Sequence, residues 1–151
     1  MRSPIAIDLD LCRFVALALS LYLASPLAPT SSAQEEHFFI PAGEVAFTQT
    51  FPGLETAVLW GDPDVGPVGM LFKFAPGFAA GPHAHTSDYY AVVVRGVSHH
   101  WLEGEERSEA LGPGSFFFQP GGQRHLDANG SDEEETVLFL FFSDGVDFLT
   151  G

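Results

Sequence analysis

Seven short runs rich in β-branched and aromatic residues, each ended by Gly, Pro, Asp or Asn, leave this chain little to become other than antiparallel sheet. They read EVAFTQTF, TAVLW, VGMLFKF, YYAVVVR, VSHHWL, SFFFQ and TVLFLFF. No segment after the amino-terminal region keeps a helical period over a helix's length. Several short strands with turn signals between them predict an all-β sandwich or barrel in a single domain. Val137 to Phe142 is apolar at every position, so both of its faces should be covered, one by the barrel interior and the other by a second sheet or a partner subunit. No internal repeat or low-complexity tract is visible, and WGDPDVGPVG (Trp60 to Gly69) reads as a rigid loop between strands.

The amino terminus reads differently. Leu11 to Leu23 is an apolar stretch too short to span a bilayer, and SPLAPTSSAQEE follows it with Pro, small residues and a polar exit. Ser31 and Ala33 occupy the positions a signal peptidase reads, which predicts a signal peptide over 1–33 and a mature domain over 34–151. Asp8, Asp10 and Arg13 depart from an ordinary signal, and the alternatives are an amphipathic helix or an uncleaved anchor. Cleavage would remove Cys12, the only cysteine, and with it any disulfide or thiolate ligand. The expectation is a periplasmic or secreted protein, free of the membrane once cleaved. A net charge of −14 makes nucleic acid and anionic lipid poor partners. The acid runs EGEER and SDEEE read as solvated turns.

The histidines suggest chemistry. His83 and His85 are two apart, a spacing that puts both imidazoles on one face of a strand. Two imidazoles on one face are half of a transition-metal site. Gly77 stands six residues before His83 and Gly96 closes the following strand; later Gly114, Pro120, Gly122, His125 and Asn129 fall in the order G-x5-P-x-G-x2-H-x3-N.

In these two blocks the sequence resembles the cupin superfamily, whose first motif is G-x5-H-x-H-x3-E-x6-G. Here that motif reads GFAAGPHAHTSDYYAVVVRG, and GSFFFQPGGQRHLDAN matches the second at every named position. The resemblance covers Gly77 to Asn129. It implies a jelly-roll barrel, the double-stranded β-helix, with both motifs at one mouth. LWGDP, KFAPGF and HTSDYYAVVVRG also look like a group of small bacterial cupins of uncharacterised function, and are similar to the cupin half of zinc-binding anti-sigma factors.

Carried over by position, the pattern makes His83, His85 and His125 metal ligands. Where the family has Glu this chain has Tyr89, preceded by Asp88. Asp88 falls on the opposite face unless the strand is bulged, and a neutral phenol is a poor ligand. The reading is therefore three histidines, with Tyr89 as a nearby or substrate-facing hydroxyl. Three neutral imidazoles leave a divalent ion's charge uncompensated and favour an anionic ligand. The domain's own negative charge opposes such a ligand only weakly beyond a Debye length of about 8 Å. Such a face suits ferrous iron with dioxygen, or zinc with a water; manganese, nickel and copper are further candidates.

Of the adjacent His99 and His100 only one can point inward, to complete the metal site or move a proton, and His100 is taken as a catalytic candidate beside Tyr89. Lys73 faces either cavity or solvent. Arg124 and Gln119 either reach a substrate or close the turn at Pro120, Asn129 caps that turn, and His37 is incidental. Two functional classes follow. One is an oxygenase-type metalloenzyme for a small anionic molecule; the other is a non-catalytic cupin acting as sensor, carrier or accessory protein. Both are expected as homodimers, and a metal-free barrel is the lesser alternative.

Overall fold

The computed structural model describes residues 36–151, so the signal peptide expected over 1–33 lies outside the described residues. The chain divides into two units, Met1–Phe38 and Phe39–Gly151, and every described strand belongs to the second. After a 3-10 turn at Ala42–Glu44 come eight strands: β1 Thr48–Phe51, β2 Leu54–Gly61, β3 Val68–Phe74, β4 Tyr89–Arg95, β5 Ser98–Leu102, β6 Phe116–Gln119, β7 His125–Asn129 and β8 Thr136–Phe142. They form an antiparallel six-stranded sheet in the order β1-β2-β3-β8-β4-β6 and a small sheet of β5 and β7. The architecture is the cupin jelly roll.

Three of the apolar runs become β3, β4 and β8 residue for residue, and they are adjacent in the large sheet. Their inward side chains Val68, Met70, Phe74, Tyr89, Ala91, Val93, Leu138, Leu140 and Phe142 make the core. EVAFTQTF keeps only its second half as strand, since Ala42–Glu44 turns just before it. The segment missed from sequence is β7. Its inward face carries His125, Asp127 and Asn129 rather than apolar residues, so no hydrophobic alternation marks it.

Two close approaches hold the sheets in position. Gly96, at φ +78° between β4 and β5, lies where a Cβ would come within 2.5 Å of the Glu135 carbonyl oxygen. Gly121 lies where a Cβ would come within 2.2 Å of the Thr86 carbonyl oxygen. Through that second approach the Gly121 N–H reaches Asp88 Oδ1 at 2.7 Å, and the Gly122 N–H reaches the His85 carbonyl at 2.8 Å. The two sequence motifs are thereby stitched together by backbone donors.

Candidate metal centre

The segment before β4 runs antiparallel to β7, with bridges pairing Ala79 with Ala128 and His83 with His125. His83 and His125 exchange both backbone hydrogen bonds, at 3.0 and 2.8 Å, so their side chains leave one face of the small sheet side by side. On the other side of His83 runs the C-terminal segment, where Ala84 pairs with Leu149. All three histidines of the motifs are buried, His125 completely. Their ring centroids lie 4.3 Å (His83 and His125), 5.2 Å (His83 and His85) and 5.5 Å (His85 and His125) apart.

What suits this cluster to hold a metal ion is the use of the other ring nitrogen. Nδ1 of His83 donates to the Gly81 carbonyl at 2.9 Å, Nδ1 of His85 to the Asp147 carbonyl, and Nδ1 of His125 to the Gln123 carbonyl at 3.1 Å. A carbonyl only accepts, so each Nδ1 carries the proton and each neutral ring keeps its Nε2 lone pair for a metal. Burial depresses the His85 pKa, and burial likewise takes His125 down to about 4, which keeps both rings neutral near pH 7. One ligand atom from each of the three lies within 4.8 Å of the others, and the group fits a divalent ion.

Tyr89 lies inside the barrel, with its hydroxyl 3.1 Å from His125 Nε2. Since that nitrogen is the acceptor, the phenol donates. Burial, and then the charge of Asp127, raise the Tyr89 pKa well above 10, so the hydroxyl stays protonated.

His100 is the inward member of its pair; His99 turns away and bonds the Ser108 carbonyl at 2.8 Å. His100 Nδ1 meets Asp127 Oδ1 at 2.8 Å and its Nε2 meets Gln119 Oε1 at 2.9 Å. The Gln119 amide is oriented by its own NH2 group, which donates to the Pro120 and Gln123 carbonyls, each at 3.1 Å. Both nitrogens of His100 face acceptors, and His100, His125 and Asp127 form a second group whose ligand atoms lie within 4.8 Å of one another and could hold a metal ion.

The remaining candidates fall elsewhere. Asp88 stays outside the site, holding Gly121 as described. Lys73 pairs with Glu55 at 2.5 Å and sits 4.4 Å above the Phe47 ring, and with Glu55 it lines a separate depression of about 210 Å³ that none of the histidines lines. Arg124 pairs with Glu103 at 2.6 Å and bonds the Pro82 carbonyl, so it ties the start of β7 to the end of β5 and to the segment before His83 rather than closing the turn at Pro120. Asn129 holds not the turn at Pro120 but the one after β7. Its oxygen accepts from the Ser131 N–H and the Thr136 hydroxyl, and its NH2 donates to the Ala75 and Glu134 carbonyls.

Two contributors escaped the sequence reading. Asp127 is buried among the histidines, with Oδ2 3.4 Å from His83 Nε2 and 3.6 Å from His125 Nε2. Burial pushes its carboxyl up, but the hydrogen bond and charge of His100 outweigh that and hold it below the usual range. Period-two spacing from His125 was the available signal. The second is the C-terminal segment. Asp147 orients His85 through its carbonyl and is anchored by the Thr86 N–H at 2.7 Å and the Thr86 hydroxyl. Phe148 stacks on His83 at 4.4 Å and covers the site. A surface depression of about 420 Å³ lies beside the centre rather than over it, lined by Asp64, Asp144, Asp147 and their neighbours.

The family described as domain of unknown function DUF4437 matches residues 49–146. No curated protein matches the sequence. Among solved structures, KdgF from Halomonas sp. is 29% identical, with a TM-score of 0.57 over 70% of this chain and 94% of that one. An RmlC-like cupin from Shewanella frigidimarina is 23% identical, with a TM-score of 0.59 over 72% and 91% of the two chains. The polyketide cyclase RemF from Streptomyces resistomycificus is 20% identical, with a TM-score of 0.64 over 76% and 85%. The last two resemblances concern the fold.

Proposed function

The chain belongs to the DUF4437 family, a cupin-like domain, and on that premise we propose that it is an exported mononuclear metalloenzyme of oxygenase type acting on a small anionic molecule. The observation that carries the reading is the convergence of His83, His85 and His125 with every Nδ1 pinned to a carbonyl, so that three Nε2 lone pairs share one space. A divalent ion bound there supplies Lewis acidity and, as iron, access to dioxygen.

The chain's own groups do the rest. The three imidazoles bring no negative charge to a divalent ion, and the one nearby carboxylate, Asp127, is itself paired with His100, which favours an anionic substrate. Tyr89 is the proton donor at the buried end, and His100, fixed between Asp127 and Gln119, keeps the neighbouring polar wall in place. Phe148 and the aromatic core exclude water from the rings it covers. Export follows from the segment over 1–33, and an amino terminus at Gln34 on the protein recovered from its native compartment is the corresponding outcome.

Closure of the site favours a second reading. The three histidines are almost wholly buried and capped by Phe148, which suits a non-catalytic metal-binding cupin acting as sensor or carrier. Oxygen uptake by the iron-loaded protein, screened against small carboxylates and diketones, separates the two. Substrate-dependent uptake that falls at least tenfold in Tyr89→Phe, with iron retained, supports the enzyme. Tight metal without uptake across the panel moves the assignment to the binding protein.

A further inference from the structure

The position where cupins carry a metal-binding glutamate holds Tyr89 in this chain, yet a carboxylate does reach the histidines, from another strand. We propose that Asp127 of β7 is the fourth ligand, binding through Oδ2 the ion held by His83, His85 and His125. The proposal rests on the three-histidine reading and deepens it.

Asp127 follows His125 by two residues, so both side chains leave the same face of β7. In the small sheet it stands directly opposite His100. Its two oxygens are employed differently. Oδ1 accepts from His100 at 2.8 Å, while Oδ2 accepts no hydrogen bond among the described residues and points between His83 Nε2 and His125 Nε2, at 3.4 and 3.6 Å. Those separations are long for hydrogen bonds. With Nδ1 of each ring held by a carbonyl, Nε2 of His83, Nε2 of His125 and Oδ2 of Asp127 face one another, an arrangement that a cation at their centre would satisfy. Around an ion with bonds of about 2.1 Å, neighbouring tetrahedral ligand atoms are about 3.4 Å apart, which matches the Oδ2 separations from His83 and His125; Asp127 also groups with His100 and His125 as a second candidate set.

The carboxylate is also aimed by the protein. His100 holds Oδ1, Gln119 holds His100, and two backbone carbonyls hold the Gln119 amide, a chain of hydrogen bonds that fixes Oδ2 toward the histidines. The ligand moved from β4 to β7 frees position 89 for a hydroxyl. When the ion takes the His125 lone pair, the Tyr89 hydroxyl loses its acceptor and becomes available to a bound molecule.

The test uses the full protein, zinc and cobalt(II), without any substrate. Asp127→Asn keeps the shape and the oxygen toward His100 but removes the charge. Zinc affinity by chelator competition is expected to fall at least 100-fold in this variant, and the visible cobalt(II) spectrum to change in band position and intensity. A crystal structure of the zinc-loaded wild type gives an independent reading that needs no variant: Oδ2 at about 2.1 Å from the ion is expected. Affinity within threefold of wild type with an unchanged cobalt spectrum, or an Oδ2 to zinc distance above about 3 Å, would overturn the assignment of Asp127 alone. Failure of the wild type to bind either metal would instead remove the three-histidine reading together with it.

Discussion

His83 and His125 face each other across an antiparallel bridge, each donating its backbone N–H to the other's carbonyl, at 3.0 and 2.8 Å. Two candidate ligands from segments some forty residues apart are thus positioned by main-chain bonds, with the ring orientations set separately by Nδ1 contacts. Metal binding then needs little rearrangement of the backbone, which is the preorganisation a tight site requires.

The buried neutral rings make stability depend on pH. The unfolded chain protonates position 125 below about pH 6.5, whereas the folded chain resists until about pH 4. Stability is therefore full above the unfolded value and declines as pH falls through that window. His85 adds to the same trend, and the depressed carboxyl of Asp127 continues it at lower pH. Metal-free protein should lose about 1–2 kcal/mol between pH 7.5 and pH 5 from His125. Urea unfolding midpoints at the two pH values check this, and an unchanged or higher midpoint at pH 5 contradicts it.

Asn129 ties β7 to the loop after β3 and to the turn that leads into β8. Asn129→Ala strands the Ser131 N–H and several carbonyls, and is expected to cost about 2–3 kcal/mol in denaturant unfolding. A loss below about 0.5 kcal/mol would show that water replaces these bonds at little cost.

Phe148 lies over His83 and also contacts Phe51 at 4.9 Å between ring centroids. Removing the ring in Phe148→Ala should speed zinc extraction by a chelator at least tenfold while leaving one zinc bound per chain. An unchanged extraction rate would mean that the ion leaves by another route.

The outer face of the large sheet carries an aromatic row in which Tyr90 packs on Phe118, Phe116 and Phe141, and Phe141 on Trp60. Phe116 is 60% exposed, and Tyr90, Phe118 and Trp60 are also exposed, a contiguous apolar row that a second copy of the chain could cover. Light scattering is expected to give two chain masses for the wild type and one for Phe116→Lys, Phe118→Lys. A wild-type monomer at every concentration would refute the homodimer.

The parts of the molecule that were legible in the sequence are those where side chains alone specify the structure. β3, β4 and β8 are apolar enough to be read residue by residue, and HAH with PGGQRH marks three residues that the fold brings together. β7 was not legible, because a strand lining a polar site has no hydrophobic inner face. For the same reason Asp127 was passed over, although alternation from His125 places it correctly. Nor did anything in GVDFL announce that its backbone would orient His85. That role belongs to a carbonyl, which has no sequence signature.

The most direct test of the account is the metal content of the protein purified from its native compartment without added metal, beside His83→Ala, His125→Ala. About one divalent transition ion per chain in the wild type, lost in the variant while the fold persists, is the predicted result. Absence of metal from both, or equal metal in both, would contradict the site on which the functional reading stands.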